Sequence, residues 1–354
     1  VVLAGEHIGR GAQVAAWFNG RAKRVTPARV ERLRRALPEA RVYASSSFEE
    51  ARAHAAELVR TPPRLLLCGG GDGTIVTLLN LLREAGAATF PTIGLLRLGT
   101  GNGWPIAVGA RRYEKTLPLL PRLALTPPTR RYHLVEVEGR LCHFAGMGWD
   151  ATLLHDYKRN LEKRENQLVG GRVAAHASKG LWGYLYSLFR ITVPEELERH
   201  RTGRTQLRLE NLGEPALVWS HGRPVPAPGP TLYEGPMSVA TCGTEPYWGA
   251  AFKAFPRAHA VPGRLNFRVY DQHVLVGVNN MFKLWRGDEL PGMHDWFVTK
   301  VRLHVSRPMP FQVGGDVVAP REVLDVALAR ETVDLVDWAA VSGRATGSAS
   351  ASSP

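Results

Sequence analysis

Two runs in the sequence pair apolar residues with the turn chemistry of a phosphate cradle. They are Leu65-Leu-Leu-Cys-Gly-Gly-Gly-Asp-Gly-Thr74 and Gly94-Leu-Leu-Arg-Leu-Gly-Thr-Gly-Asn102. A buried strand that breaks into glycines leaves backbone N–H groups with no side chains in the way, and such a turn can hold a polyphosphate. Gly69, Gly70, Gly71 and Gly73 supply the turn, and Thr74 is expected at a helix N-terminus, where hydroxyl and free N–H groups bind anionic oxygen. Asp72 carries the wrong charge for phosphate, so its expected task is Mg²⁺ coordination, direct or through water. The run lacks the Gly-Lys-Ser/Thr ending of a Walker A loop and is not the dinucleotide-binding GxGxxG pattern. Two such turns in tandem suggest a nucleotide laid across neighbouring strand ends, hence phosphoryl transfer.

The elements that would position these turns can be read in order. Val14 to Phe18 reads as a strand, Thr26-Pro27 as a cap opening a helix to Leu37, and Arg41 to Ala44 as a second strand. Ser47 caps a helix over Phe48 to Val59, with Glu49 and Glu50 in its first turn. Leu65 to Cys68 and Thr92 to Leu96 are the third and fourth strands, flanking a helix over Thr74 to Ala85. This alternation predicts a doubly wound, mostly parallel α/β domain over residues 12–130. From about Tyr132 the pattern alternates with period two, which predicts an antiparallel, β-rich and sandwich-like domain over 131–317, with His221 to Pro230 as a turn. A strand pair, Glu322 to Leu328 and Thr332 to Trp338, either closes that sheet or returns over 318–338 to complete the first domain. The Ser/Gly/Ala-rich tail 342–354 is expected to be disordered.

Composition narrows the classes. The chain has 354 residues, a formal net charge of +13 and no apolar run long enough for a membrane span. The N-terminal residues show no secretion pattern, which points to a cytoplasmic location. Cys68, Cys142 and Cys242 are far apart and read as small buried residues in a reducing compartment. The positive charge suits an anionic membrane surface or phosphorylated small molecules; no motif supports nucleic acid as a partner. His155, His176 and His294 lack metal-ligand spacing. The aromatic stretch Lys179 to Arg190 reads as a packed helix or as a membrane-surface one, and Met281 to Arg286 with Trp296-Phe297 could edge a lipid cleft.

The two glycine motifs together resemble the catalytic domain of diacylglycerol kinases and the related bacterial lipid, sphingosine and ceramide kinases, with NAD kinases as more distant relatives. The resemblance continues through Phe18-Asn19-Gly20, Gly146-Met-Gly-Trp-Asp150-Ala, Gly243-Thr-Glu-Pro-Tyr-Trp-Gly249 to Leu265, and Pro308-Met-Pro-Phe-Gln-Val-Gly-Gly-Asp316, so that it covers roughly residues 12 to 338. It implies an ATP- and Mg²⁺-dependent lipid kinase with its active site in an interdomain cleft. The acceptor would be the hydroxyl of a diacylglycerol-like or sphingoid/ceramide-like membrane lipid. The resemblance places ATP against Gly69 to Thr74, Thr100 and Asn102, with Asn19 and Ser45 nearby, and makes Asp316 the general base. Peripheral docking on anionic lipid, and a homodimer, are further expectations. Three positions depart from the family: Gly103 follows the Gly-Asn pair, Pro262-Gly263 replaces an acid associated with a structural Mg²⁺, and Asp316 stands in place of Glu. They keep two alternatives open, a kinase of a soluble hydroxyl substrate and a catalytically weakened nucleotide- or membrane-binding member.

Overall fold

The computed structural model describes residues 13–99, 102–149, 151–152, 203–248 and 252–343. Thr100, Asp150, His155, His176, the stretch Lys179 to Arg190 and the tail from 344 onward lie outside them. The chain divides into two compact units, one holding Val1–Leu134, Tyr247–Ala251 and Arg330–Pro354, the other Val135–Pro246 and Phe252–Ala329.

In the first unit, strands β1 (Val14–Asn19), β2 (Arg41–Ser45), β3 (Leu65–Gly70) and β4 (Thr92–Arg97) run parallel in the order β2-β1-β3-β4. Every residue of β3 is buried, as expected for a strand covered on both faces. Helix α1 (Pro27–Ala36) is capped by the Thr26 side chain and α2 (Phe48–Arg60) by that of Ser47. Both starts agree with the sequence reading, because each cap is a local side-chain signal. Helix α3 spans Asp72–Glu84 and starts two residues before the expected Thr74. Its N-cap is Gly71, whose extended backbone does the capping without a side chain, so the sequence carries no cap signal there. A chain leaving β1 toward β2 and then crossing back to β3 and β4 by right-handed connections puts α2 and α3 on one face and α1 on the other. Accordingly α2 packs on α3, and α1 on the 3₁₀ turn Leu117–Arg122.

Short helices α4 (Gly103–Ala107) and α5 (Tyr113–Thr116) follow β4. The chain then passes into the second unit along β5 (Thr129–Val137). Strands β6 (Arg140–Cys142), β7 (Phe144–Gly148), β8 (Gln206–Asn211), β9 (Leu217–Ser220), β10 (Arg223–Pro226), β11 (Thr231–Pro236), β12 (Val239–Gly243), β13 (Leu265–Tyr270), β14 (Met293–Val298) and β15 (Lys300–Val313) pair antiparallel, as predicted. Helices α6 (Val274–Asn279) and α7 (Met281–Arg286) interrupt them. Leu209, Phe255, Phe267, Phe297, Val301 and Phe311 form much of this unit's core.

Three hairpins close with two-residue turns whose residues both have positive φ: Glu138-Gly139, His221-Gly222 and Gly314-Gly315. That backbone matches the right-handed twist of paired strands. The second of these turns places β10 inside the segment read from sequence as a loop. The last leads into β16, a single strand from Asp316 to Val336 where a strand pair had been expected. Its final residues belong to the first unit, where Leu335 pairs parallel with Ile93 of β4. There Arg130 binds Asp337 at 2.8 Å, Arg131 binds Asp334 at 2.9 Å, and the Trp338 N–H donates to the Val108 carbonyl.

Candidate functional site

The C-terminal ends of β1 and β3 lie side by side where the strand order reverses, the position at which open α/β sheets bind ligands. Here Phe18 pairs with Gly69, so a Cβ on Gly69 would fall 2.2 Å from the Phe18 ring. A Cβ on Gly70 would lie 2.3 Å from the Thr74 hydroxyl. Packing therefore requires both glycines. Gly73 differs: it is exposed, in the first turn of α3, and an added Cβ would meet nothing within 4 Å. The leading N–H groups of a helix have no acceptor inside it, and at Gly73 they are reached without a side chain in the way.

Thr74 is buried, and its hydroxyl turns back toward β1, where the Asn19 side-chain amide donates to it at 3.3 Å. Asn19 also accepts the Arg21 N–H, which closes the turn after β1. Its register neighbour Ser45 is buried, accepts the Trp17 indole N–H at 2.9 Å and lies 2.9 Å from Nδ1 of His54. This hydroxyl ties β2 to β1 and α2, and His54 is a partner the sequence reading missed.

The second glycine run abuts the first. A Cβ on Gly99 would sit 2.2 Å from the Gly71 Cα, so residue 99 must be glycine for the two backbones to approach. Asn102, in the left-handed region at φ 52°, accepts the Gly99 N–H and donates to the Gly99 carbonyl. Asp72 joins the two runs: its carboxylate oxygens accept the N–H groups of Gly103 at 2.8 Å and Trp104 at 2.9 Å. Burial raises the Asp72 pKa, and these N–H groups oppose the rise. Asp72 thus serves as the anion at the start of α4, leaving the first turn of α3 to another anion. A Mg²⁺ ion would find Asp72 here but no cage of protein ligands, since no group of three His, Cys, Asp or Glu side chains converges among the described residues. That donor set fits an ion held chiefly by nucleotide phosphates.

Asp316 belongs to the second unit. It is exposed, directly follows the Gly314-Gly315 turn, and lies 3.7 Å from Arg140. The signal for Arg140 was present in the sequence, since Glu138-Gly139 between alternating apolar residues is a hairpin turn that sets Arg140 at the head of β6. The same unit holds a concavity of about 390 Å³ lined by Trp219, Arg257, Arg268, Glu289 and Asp295, among others. Its two guanidinium groups are already matched, Arg257 by Glu289 and Asp295 and Arg268 by Asp295.

Residues 18–127 match the family model of the diacylglycerol kinase catalytic domain. That stretch of the chain is similar to the catalytic domain of that family. The match runs from the end of β1 through the 3₁₀ turn and so includes Asn19, Ser45, both glycine runs and Asn102. No curated protein matches the chain in sequence. Among solved structures, a diacylglycerol kinase from Bacillus anthracis str. Sterne is 12% identical, with 92% of this chain and 96% of that one covered at a TM-score of 0.57. Another structure from the same organism, provisionally assigned the same activity, is 16% identical, with 93% and 98% covered at a TM-score of 0.59. At such identities the likeness shows the fold: an α/β unit and an antiparallel β-rich unit.

Proposed function

We propose that this chain transfers the γ-phosphate of ATP, with Mg²⁺, to the hydroxyl of a membrane lipid of diacylglycerol-like or sphingoid/ceramide-like backbone. The observation that carries the reading is the open first turn of α3 at Gly73, set beside loops whose other glycines are fixed by packing. Bound nucleotide supplies the phosphoryl group, and Mg²⁺ offsets charge on its phosphates. The chain's own part is positioning. Gly71 to Gly73 present backbone N–H groups, Asp72 and Asn102 hold the neighbouring loop in place, and Thr74 and Asn19 lock α3 to β1. Asp316 is the residue to accept the acceptor hydroxyl's proton, held by a two-residue turn with Arg140 beside it.

Purified protein incubated with γ-labelled ATP, Mg²⁺ and mixed-lipid vesicles should carry label into the organic phase, and chromatography of the product identifies the acceptor. Label found only on a water-soluble acceptor replaces the lipid reading with the soluble-substrate one. Nucleotide binding without transfer to any acceptor leaves a binding protein.

A further inference from the structure

Of the seven large apolar side chains left exposed among the described residues, four lie within twelve residues of one another: Leu275, Val276, Phe282 and Trp285. The other three, Phe48, Leu212 and Val323, are scattered. These four sit on the paired helices α6 and α7. Phe282 is 86% exposed, far beyond what a folded surface ordinarily shows for a phenyl ring. Helix α7 carries Lys283 and Arg286, and the Arg286 guanidinium is paired with Asp288 at 2.7 Å just past the helix end.

The opposite side of the pair is anchored. Val274 is buried with Trp149, and Val278 and Met281 pack against them. The Lys253 N–H donates to the Trp285 carbonyl at 3.0 Å, and the Trp285 ring stands edge-on to Phe252 at 5.4 Å. Gly287 ends α7 with φ 77°. The apolar side chains are therefore presented from a fixed platform. Trp296 and Phe297, grouped with this stretch in the sequence reading, are instead buried on β14 and contribute nothing to the surface.

We infer that α6 and α7 form a docking element for anionic phospholipid bilayers. Phe282, Leu275 and Val276 enter the headgroup–acyl boundary, Trp285 sits at its edge, and Lys283 meets lipid phosphates. An interfacial helix needs this combination of an apolar face and flanking cations. Charge selects the occupant. A second copy in a two-fold interface would bring Lys283 toward its own image on a chain of net charge +13, whereas an anionic bilayer complements that charge. The inference deepens the lipid-acceptor reading, which requires the enzyme to meet a membrane.

The test uses the full chain, without nucleotide, sedimented with vesicles of phosphatidylcholine alone or mixed with phosphatidylglycerol. Wild type should bind the mixed vesicles. Phe282→Ala should lower the partition coefficient by ~10-fold, the scale of withdrawing one phenyl side chain from an apolar phase. Lys283→Gln should weaken binding and flatten its salt dependence. Equal binding by wild type and Phe282→Ala overturns the inference. So does a wild-type dimer, seen by light scattering, that Phe282→Ala dissociates without changing vesicle binding. A short-chain acceptor dispersed as monomers separates the two readings: Phe282→Ala should phosphorylate it as wild type does. Vesicle binding with no lipid phosphorylated in either format removes the lipid-acceptor reading and leaves the docking element standing.

Discussion

Oδ1 of Asp72 accepts the backbone N–H of Trp104 at 2.9 Å, joining the head of α3 to that of α4. In Asp72→Asn one oxygen becomes an NH₂ group facing an N–H, which strands a buried donor. The expected loss is about 1–3 kcal/mol of stability, read as a lower urea midpoint with unchanged slope. An unchanged midpoint combined with lost nucleotide affinity would instead make Asp72 a ligand-binding group.

The loop glycines should separate into two classes. Gly69→Ala must displace the Phe18 ring and should destabilise the first unit by roughly 1–3 kcal/mol. Gly73→Ala meets no neighbour in a helical position and should hold or raise stability, by about 0.5–1 kcal/mol. The same methyl group would stand over the N–H groups offered to phosphate, so ATP affinity should fall at least tenfold. Full ATP affinity in Gly73→Ala moves the nucleotide elsewhere.

Asp316 is exposed and leads its strand from a turn that does not depend on its side chain. Asp316→Asn should therefore leave the melting temperature within about a degree or two of wild type, since surface changes are typically within about 0.5 kcal/mol. Transfer to the acceptor should fall by roughly 10²–10⁴-fold if the carboxylate takes the proton. Undiminished transfer keeps the kinase and removes Asp316 as its base.

His143 gives the fold an acid limb. Burial pushes its pKa down from 6.5 to about 3, so the native protein excludes a proton that the unfolded chain accepts. Stability should then decline as pH falls through that window, by up to about 1.4 kcal/mol per pH unit from this residue. His143→Gln, compared with its own value at neutral pH, should show a shallower decline between pH 6 and 4 in urea titrations. Parallel curves for the two proteins assign the acid limb to other groups.

Local signals made much of the first unit legible in the sequence. Thr26 and Ser47 cap their helices with their own side chains, and the apolar runs at Val14, Leu65 and Thr92 become strands close to the expected bounds. What escaped was non-local. The Asp72 bonds to Gly103 and Trp104 span more than thirty residues, and the contact of Gly99 with Gly71 appears only when two loops meet. The unity of β16 was hidden because Pro320 and the charged Arg330-Glu331 resemble interruptions. In the structure the register of β15 against β16 shifts between His304, Met309 and Phe311, near Pro308 and Pro310, where bulges accommodate residues that cannot donate to a ladder.

The strand that ends beside β4 also sets a timetable for synthesis. The first unit's outer strand emerges from the ribosome roughly 200 residues after Leu134, which at 5–20 residues per second is roughly 10–40 s. Throughout that interval the free edge of β4 waits for Leu335. Vectorial folding of the first unit therefore cannot finish until β16 has emerged. A stop codon upstream of Arg330 would leave that edge permanently open to other chains.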